Sequence, residues 1–169
     1  SHLDSKNVNL IVLSSAELKS LNVFMPVLRD AMKAHPEMII KLIGYPDWLS
    51  YTSRMLEDFY AADTYIYSPF FLNYASVDYR KLCNHFHHNF NTEMLSVTPR
   101  MGVYGFDSGM FFLKGLSRYG KAFGGEDTRV QTIQNKFRFQ RVSNWGGLVN
   151  RQMQFVHYSN DQIELVEKN

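Results

Sequence analysis

The sequence predicts an α/β fold: a three-layer, doubly wound, mostly parallel sheet that closes with antiparallel strands. Three observations carry this expectation. Short, nearly unbroken apolar runs at residues 8–13, 38–43 and 64–67 suit strands buried within a parallel sheet. Segments of helical period separate them, which makes each connection a right-handed βαβ crossover. From residue 137 onward, apolar and polar residues alternate in short stretches, as half-exposed antiparallel strands require.

The first run, Val8-Asn9-Leu10-Ile11-Val12-Leu13, stops at Ser14-Ser15. Leu18, Leu21, Met25, Leu28 and Met32 then recur at helical spacing. Pro26 fits this pattern if Asn22 caps a new helix and the proline falls near its first turn. The helix should end near His35-Pro36. Residues 38–43 form the second strand, stopped by Gly44-Tyr45-Pro46-Asp47, and residues 49–59 a second helix. Thr64-Tyr65-Ile66-Tyr67, rich in β-formers, ends at Ser68-Pro69.

The next part changes character. Tyr79, Leu82, Cys83, Phe86 and Phe90 share one face of a helix over residues 78–90. Residues 103–119 are apolar nearly all round and close on Gly120 at a C′ position, which predicts a buried helix. Gly124-Gly125-Glu126-Asp127 reads as a loop and residues 130–135 as one more helical turn. Residues 137–140, 152–158 and 162–166 alternate, the last two joined across Ser159-Asn160-Asp161. Residues 143–147, with Trp145-Gly146-Gly147, look like a linker.

Residues 1–7 are expected to be a tag or leader remnant and a disordered start, and residues 8–169 a single α/β unit. Within it, residues 8–75 supply the βαβαβ part, 76–135 a helical part and 136–169 the C-terminal strands. A chain of 169 residues buries roughly 70% of its unfolded surface, enough for one core without disulfides or metal.

Bulk properties exclude several classes. The 18 basic and 16 acidic residues are spread along the chain, so no long-range field draws it to nucleic acid. No apolar run approaches the ~18 residues of a membrane span. Cys83 has no second cysteine to pair with and reads as a small buried thiol.

Chemistry-bearing patterns are sparse, and the expectation is no enzyme, no catalytic residue, no metal and no cofactor. Gly105-Phe106-Asp107-Ser108-Gly109 displaces its serine from the Gly-x-Ser-x-Gly elbow by one position. Asp107 is expected to cap the start of the apolar helix. Of His85, His87 and His88, only the first and last share a helical face, and they lack a third ligand. The carboxylate pairs Glu126-Asp127 and Asp161-Glu164 are as readily solvated as catalytic. Gly105 and Gly109 have small-xxx-small spacing, a packing hint alone.

The order of these elements resembles the C-terminal half of the type I periplasmic binding family, the branched-chain amino-acid-binding proteins among them. The likeness lies in Asn9-Leu10-Ile11-Val12-Leu13, Lys41-Leu42-Ile43-Gly44, Tyr65-Ile66-Tyr67-Ser68-Pro69-Phe70-Phe71 and the helix of residues 79–90. Tyr104-Gly105-Phe106-Asp107 is similar to the family's Tyr-x-Tyr-Asp-Ala helix start. Phe155-Val156-His157-Tyr158-Ser159-Asn160-Asp161 is similar to its closing strand and turn. A further likeness is to envelope proteins in which such a domain follows peptidoglycan-binding lysin motifs, none of which is present in this sequence.

The resemblance implies a two-lobed clamp holding a small polar ligand, such as an amino acid, at the C-terminal ends of parallel strands. It implies a periplasmic or cell-envelope location. It also implies that most of the first lobe is missing from this sequence, which then exposes its lobe interface, pairs with a missing N-terminal lobe or a second chain, or has rearranged into a compact single domain. Asp47 stands near the family's ammonium-binding acid; its other reading is the N-cap of a helix beginning at Trp48. Ser14 and Ser15 can bind a carboxylate at a helix N-terminus, or simply form a polar turn. Tyr45 and Trp48 can stack on a ligand, or belong to core or rim.

The leading functional expectation is therefore a non-catalytic ligand-binding or sensing module like the substrate-binding proteins of amino-acid ABC transporters. The alternative is an assembly module, homodimeric or attached to the cell wall, that has lost its ligand; the aromatic content around Phe70 and Phe71 supports it. A small α/β hydrolase or transferase is a third reading.

Overall fold

A computed structural model describes residues 3–125 and 128–166 of the chain. The elements run β1 (Val8–Val12), α1 (Leu18–Ala34), β2 (Ile39–Gly44), a 3-10 turn (Pro46–Tyr51), α2 (Thr52–Ala61), β3 (Thr64–Ser68), α3 (Val77–Phe90), α4 (Met101–Tyr119), a second 3-10 turn (Gly120–Ala122), β4 (Phe139–Arg141), β5 (Leu148–Asn150), β6 (Gln154–Ser159) and β7 (Gln162–Val166). They group into two compact units, one from Ser1–Ser68 with Gln154–Asn169, the other from Pro69–Met153. The expected tag-like start, Ser1-His2, and the Glu126-Asp127 pair lie outside the described residues. Asp4 folds the start back on itself, its backbone N–H donating to Asn9 Oδ1 at 2.8 Å.

The first unit is built on a five-stranded sheet of order β1-β2-β3-β6-β7. β1, β2 and β3 pair in parallel, β6 is antiparallel to both neighbours, and so four of the five strands run one way. Asn160 and Asp161, at φ 48 and 59, make the tight turn from β6 to β7. Mixed α/β structure with a mostly parallel sheet is thus established. The order β1-β2-β3 advances without reversal, so two crossovers of the same hand place α1 and α2 on the same face. Arg29 on α1 pairs with Asp58 on α2. Leu21, Met25, Leu28, Trp48, Met55 and Phe59 are buried on this side with Ile40, Leu42, Ile66, Val156 and Tyr158. The opposite face carries Leu10, 65% exposed, with Val12, Ile39 and Phe155. The described residues of this unit therefore make two layers.

Two helix details differ from expectation. No new helix begins at Asn22: α1 is continuous and Pro26 lies inside it. The proline costs about 3 kcal/mol, but Pro26 and Asn22 both face solvent, where water can take up the freed carbonyl. The Leu21, Met25, Leu28 stripe is buried across the site. After β2 the chain does not enter an α-helix at once; Pro46 opens a 3-10 turn and α2 follows.

The second unit contains α3, α4 and the β4–β5 hairpin. Ser76 caps α3, its Oγ accepting the Tyr79 N–H at 3.2 Å. Leu72, Tyr79, Met94 and Val103 form a buried cluster with Leu82, Cys83, Phe86 and Ile133 against it. A second cluster gathers Phe111, Phe123, Phe137 and Phe139.

Three expectations are corrected in this unit. The helix α4 is not buried all round: Val103, Asp107, Phe111 and Gly115 make one buried stripe, while Leu113 is 68% exposed and Phe106, Met110, Phe112 and Leu116 are exposed too. Residues 130–135 form no helical turn: the N–H groups of Ile133, Gln134 and Asn135 bond to the Asp107 carboxylate instead of to carbonyls of their own segment. Residues 143–147 are the hairpin loop between β4 and β5, closed by Val142 N–H to the Gly147 carbonyl at 3.1 Å. Glycine does close α4 as expected, with Gly120 at φ 57.

Candidate functional site

The site nominated by the sequence lies in the first unit, where β1 ends and α1 begins. Leu13, Ser14, Ser15, Glu17, Lys19, Ser20, Val23, Phe24 and Val27 line an open groove of about 640 Å³. One end is polar: Ser14 is exposed, Ser15 half-buried, and Lys19 and Ser20 stand in the first turn of α1. The other end is apolar, formed by Val23, Phe24 and Val27 one and two turns along.

The groove is held from behind by two of the nominated aromatics. The Tyr45 hydroxyl donates to the Leu13 carbonyl at 2.6 Å, and the Trp48 indole N–H donates to the Ala16 carbonyl at 3.1 Å. These bonds fasten both ends of the Ser14-Ser15 turn to the segment that follows β2. Trp48 is 0% exposed, stacked on Phe59 and edge-on to Tyr45. Gly44 makes this approach feasible, since a Cβ there would lie 2.3 Å from the Trp48 ring. Both aromatics thus position the site rather than line it.

Within the turn, Ser15 Oγ accepts the Glu17 N–H at 3.2 Å. Glu17 is the N-cap residue of α1 but makes no side-chain cap bond, and no acid occupies the first turn. No side chain of the N-cap residue bonds to the first-turn N–H groups of α1, which keep their positive partial charge beside the groove, with the Glu17 carboxylate also in its lining. Asp47 does not cap: Tyr45 occupies the N-cap position of the 3-10 turn, Pro46 follows it, and Asp47 is exposed in the first turn, outside the groove lining. A chain entering through proline places the cap one residue ahead of it.

Sequence reasoning missed the α1 contribution of Lys19, Ser20, Val23, Phe24 and Val27. The available signal was Val23 and Val27, two apolar residues four apart that fall off the Leu21, Met25, Leu28 stripe.

A second polar cluster in the same unit joins residues far apart in sequence. Asp63 Oδ1 bonds to His157 Nε2, and Lys41 Nζ donates to Asp63 Oδ2 at 2.8 Å and to the Tyr65 hydroxyl at 3.2 Å. The Tyr65 and His157 rings stack, centroids 4.0 Å apart. Burial raises the Asp63 carboxyl, but the His157 and Lys41 bonds and charges outweigh it and hold the group below its ordinary range. Hydrogen bonds to Asp63 and Tyr65 push Lys41 up. The cluster ties β2, β3 and β6 together across one face.

In the second unit Asp107 is 0% exposed and interior to α4, not at its start. Its carboxylate accepts the backbone N–H groups of Ile133, Gln134 and Asn135, each at 2.8 Å. The capping chemistry is the expected one, but it serves a distant segment. His87 pairs with Glu93 at 2.9 Å, and among the described residues no group of three or more His, Cys, Asp or Glu side chains is placed to hold a metal ion. Among them, too, no helix is long and apolar enough to cross a membrane.

Comparison with protein-family models, with curated proteins and with solved structures finds no match.

Proposed function

We propose that this chain is a non-catalytic ligand-binding module of the cell envelope, related to the type I periplasmic binding family. The observation that carries the reading is the Ser14-Ser15 turn, pinned by Tyr45 and Trp48 so that a groove opens beside the N-terminus of α1. The ligand is a small molecule with a carboxylate and an apolar side chain, such as a branched or aromatic amino acid. Its carboxylate meets Ser14, Ser15, Lys19 and the helix N-terminus, where free N–H groups favour an anion. Its side chain lies along Phe24, Val23 and Val27. No covalent step follows; occupancy shifts an open-closed equilibrium.

In the finer form of this proposal the fold is the family's three-layer, doubly wound one, and a missing lobe or a second chain supplies the other wall of the site and the layer over Leu10, Val12 and Ile39. Parallel strands are ordinarily covered on both faces, which supports that reading. Thermal-shift screening against amino acids tests the proposal: a ligand at one hundred times its Kd stabilises by about 2.7 kcal/mol. A melting temperature unmoved by every amino acid would tell against it.

The apolar, exposed side of α4 supports the second reading, an assembly module, because monomers seldom leave so many large apolar side chains in water. That reading predicts a concentration-dependent dimer by light scattering.

A further inference from the structure

The second unit holds a cavity of about 570 Å³ that no part of the proposed function uses. Its volume falls in the range of small-molecule sites, roughly 300–1,000 Å³. Phe111, Phe137 and Phe139 supply one wall, with ring centroids 4.7 Å apart for Phe111 and Phe137 and 5.5 Å for Phe111 and Phe139. Phe137 and Phe139 lie almost parallel, 5° between their planes. Three rings converging on one wall present both faces and edges, a surface that prefers another aromatic ring to a saturated one.

The polar part of the lining is equally selective. Its charged members among the described residues are Lys136 and Arg138, with no carboxylate. Arg138 is exposed, and the hydrogen bonds it makes to described residues are through its backbone, not its guanidinium. Its backbone, by contrast, is fixed, the N–H donating to Asn150 Oδ1 at 2.9 Å and the carbonyl accepting from the Arg151 N–H at 2.9 Å. A free planar fork on a fixed backbone suits bidentate capture of a carboxylate. Thr128, also in the lining, is 3% exposed, and its hydroxyl is bonded to no described group.

We infer that this cavity binds a small aromatic carboxylate, its ring against Phe111, Phe137 and Phe139 and its carboxylate on Arg138. The site is independent of the Ser14-Ser15 groove and stands or falls without it.

Isothermal titration of the whole chain with phenylacetate, read together with amide chemical shifts, tests the inference. The expected result is saturable binding with shifts centred on residues 128–139, and weakening of about tenfold or more in Arg138→Gln. That variant changes an exposed side chain, and an unchanged melting temperature checks that the fold is kept. Phenethylamine, with the same ring and the opposite charge, and cyclohexylacetate, with the same charge and no aromatic ring, bind at least several times more weakly. Absence of saturation, shifts centred on residues 13–27, equal affinity for phenethylamine or cyclohexylacetate, or an Arg138→Gln variant that binds as well as the parent would each overturn it.

Discussion

The Trp48 indole N–H donates to the Ala16 carbonyl at 3.1 Å, so a fully buried ring on one side of β2 fixes the turn at the end of β1. With the Tyr45 bond to Leu13, it makes the groove a pre-formed feature rather than one a ligand must order, and pre-organisation is what keeps binding affordable.

Trp48→Phe removes the donor and part of the ring, and is expected to lower stability by about 2–4 kcal/mol. Tyr45→Phe, which loses the hydroxyl alone, costs about 1 kcal/mol. Denaturant melts give both values. Hydrogen exchange separates position from bulk stability: amides of residues 14–20 should exchange faster in each variant than global destabilisation accounts for.

Asp107→Asn distinguishes the interior acceptor from a helix cap. At an N-cap, asparagine replaces aspartate at almost no cost. An amide facing three backbone donors leaves at least one unsatisfied and turns an N–H₂ toward the others, so the expected loss is about 2–4 kcal/mol. Equilibrium unfolding measures it, and a change under 0.5 kcal/mol, the size of an ordinary surface substitution, would contradict the assignment.

The Asp63 cluster sets a pH window for the first unit. Its carboxyl is held below the ordinary 3.8, so its contribution is present above that pH and is lost as pH falls through the folded value. Lys41 is raised above the ordinary 10.5; its contribution is complete below that pH and is lost as pH rises through the folded value. His157→Phe keeps a ring over Tyr65 while removing a partner of Asp63. A pH series of urea melts should show a shallower acid-side fall in this variant, with a loss of about 1 kcal/mol at neutral pH.

Glycines on α4 separate its open and buried sides. No atom lies within 4 Å of the Cβ that Gly105 or Gly109 would carry, so Gly105→Ala and Gly109→Ala should each stabilise by about 0.5–1 kcal/mol. A Cβ on Gly115 would lie 2.3 Å from the Phe123 ring, so Gly115→Ala should destabilise. Thermal melts of the three variants report opposite signs.

Period and punctuation made the strands and most helices legible. Residues 64–67, 78–90 and the turn at Asn160-Asp161 need only local rules, and α3 and the β6–β7 hairpin stand where those rules put them. Pro26 misled because its cost is local and its compensation, a buried stripe running past it, is tertiary. The apolarity of α4 indicated burial, but composition records how much a helix wants to bury, not what is present to cover it. Ser14 and Ser15 were legible as strand-end polar residues, whereas the roles of Tyr45 and Trp48 depend on bonds to Leu13 and Ala16, 32 residues away in sequence. The Asp63–His157 pair spans 94 residues and had no local signal.

Binding of a carboxylate-bearing ligand with an apolar side chain in the groove beside Ser14 and Ser15 is read out residue by residue by amide chemical shifts during titration with leucine and phenylalanine. The expected result is saturable shifts at residues 13–20 and at Val23, Phe24 and Val27, with affinity reduced about tenfold by Lys19→Glu, which places a like charge against the carboxylate. Shifts absent from that segment at saturating amino acid, or undiminished in Lys19→Glu, would contradict it.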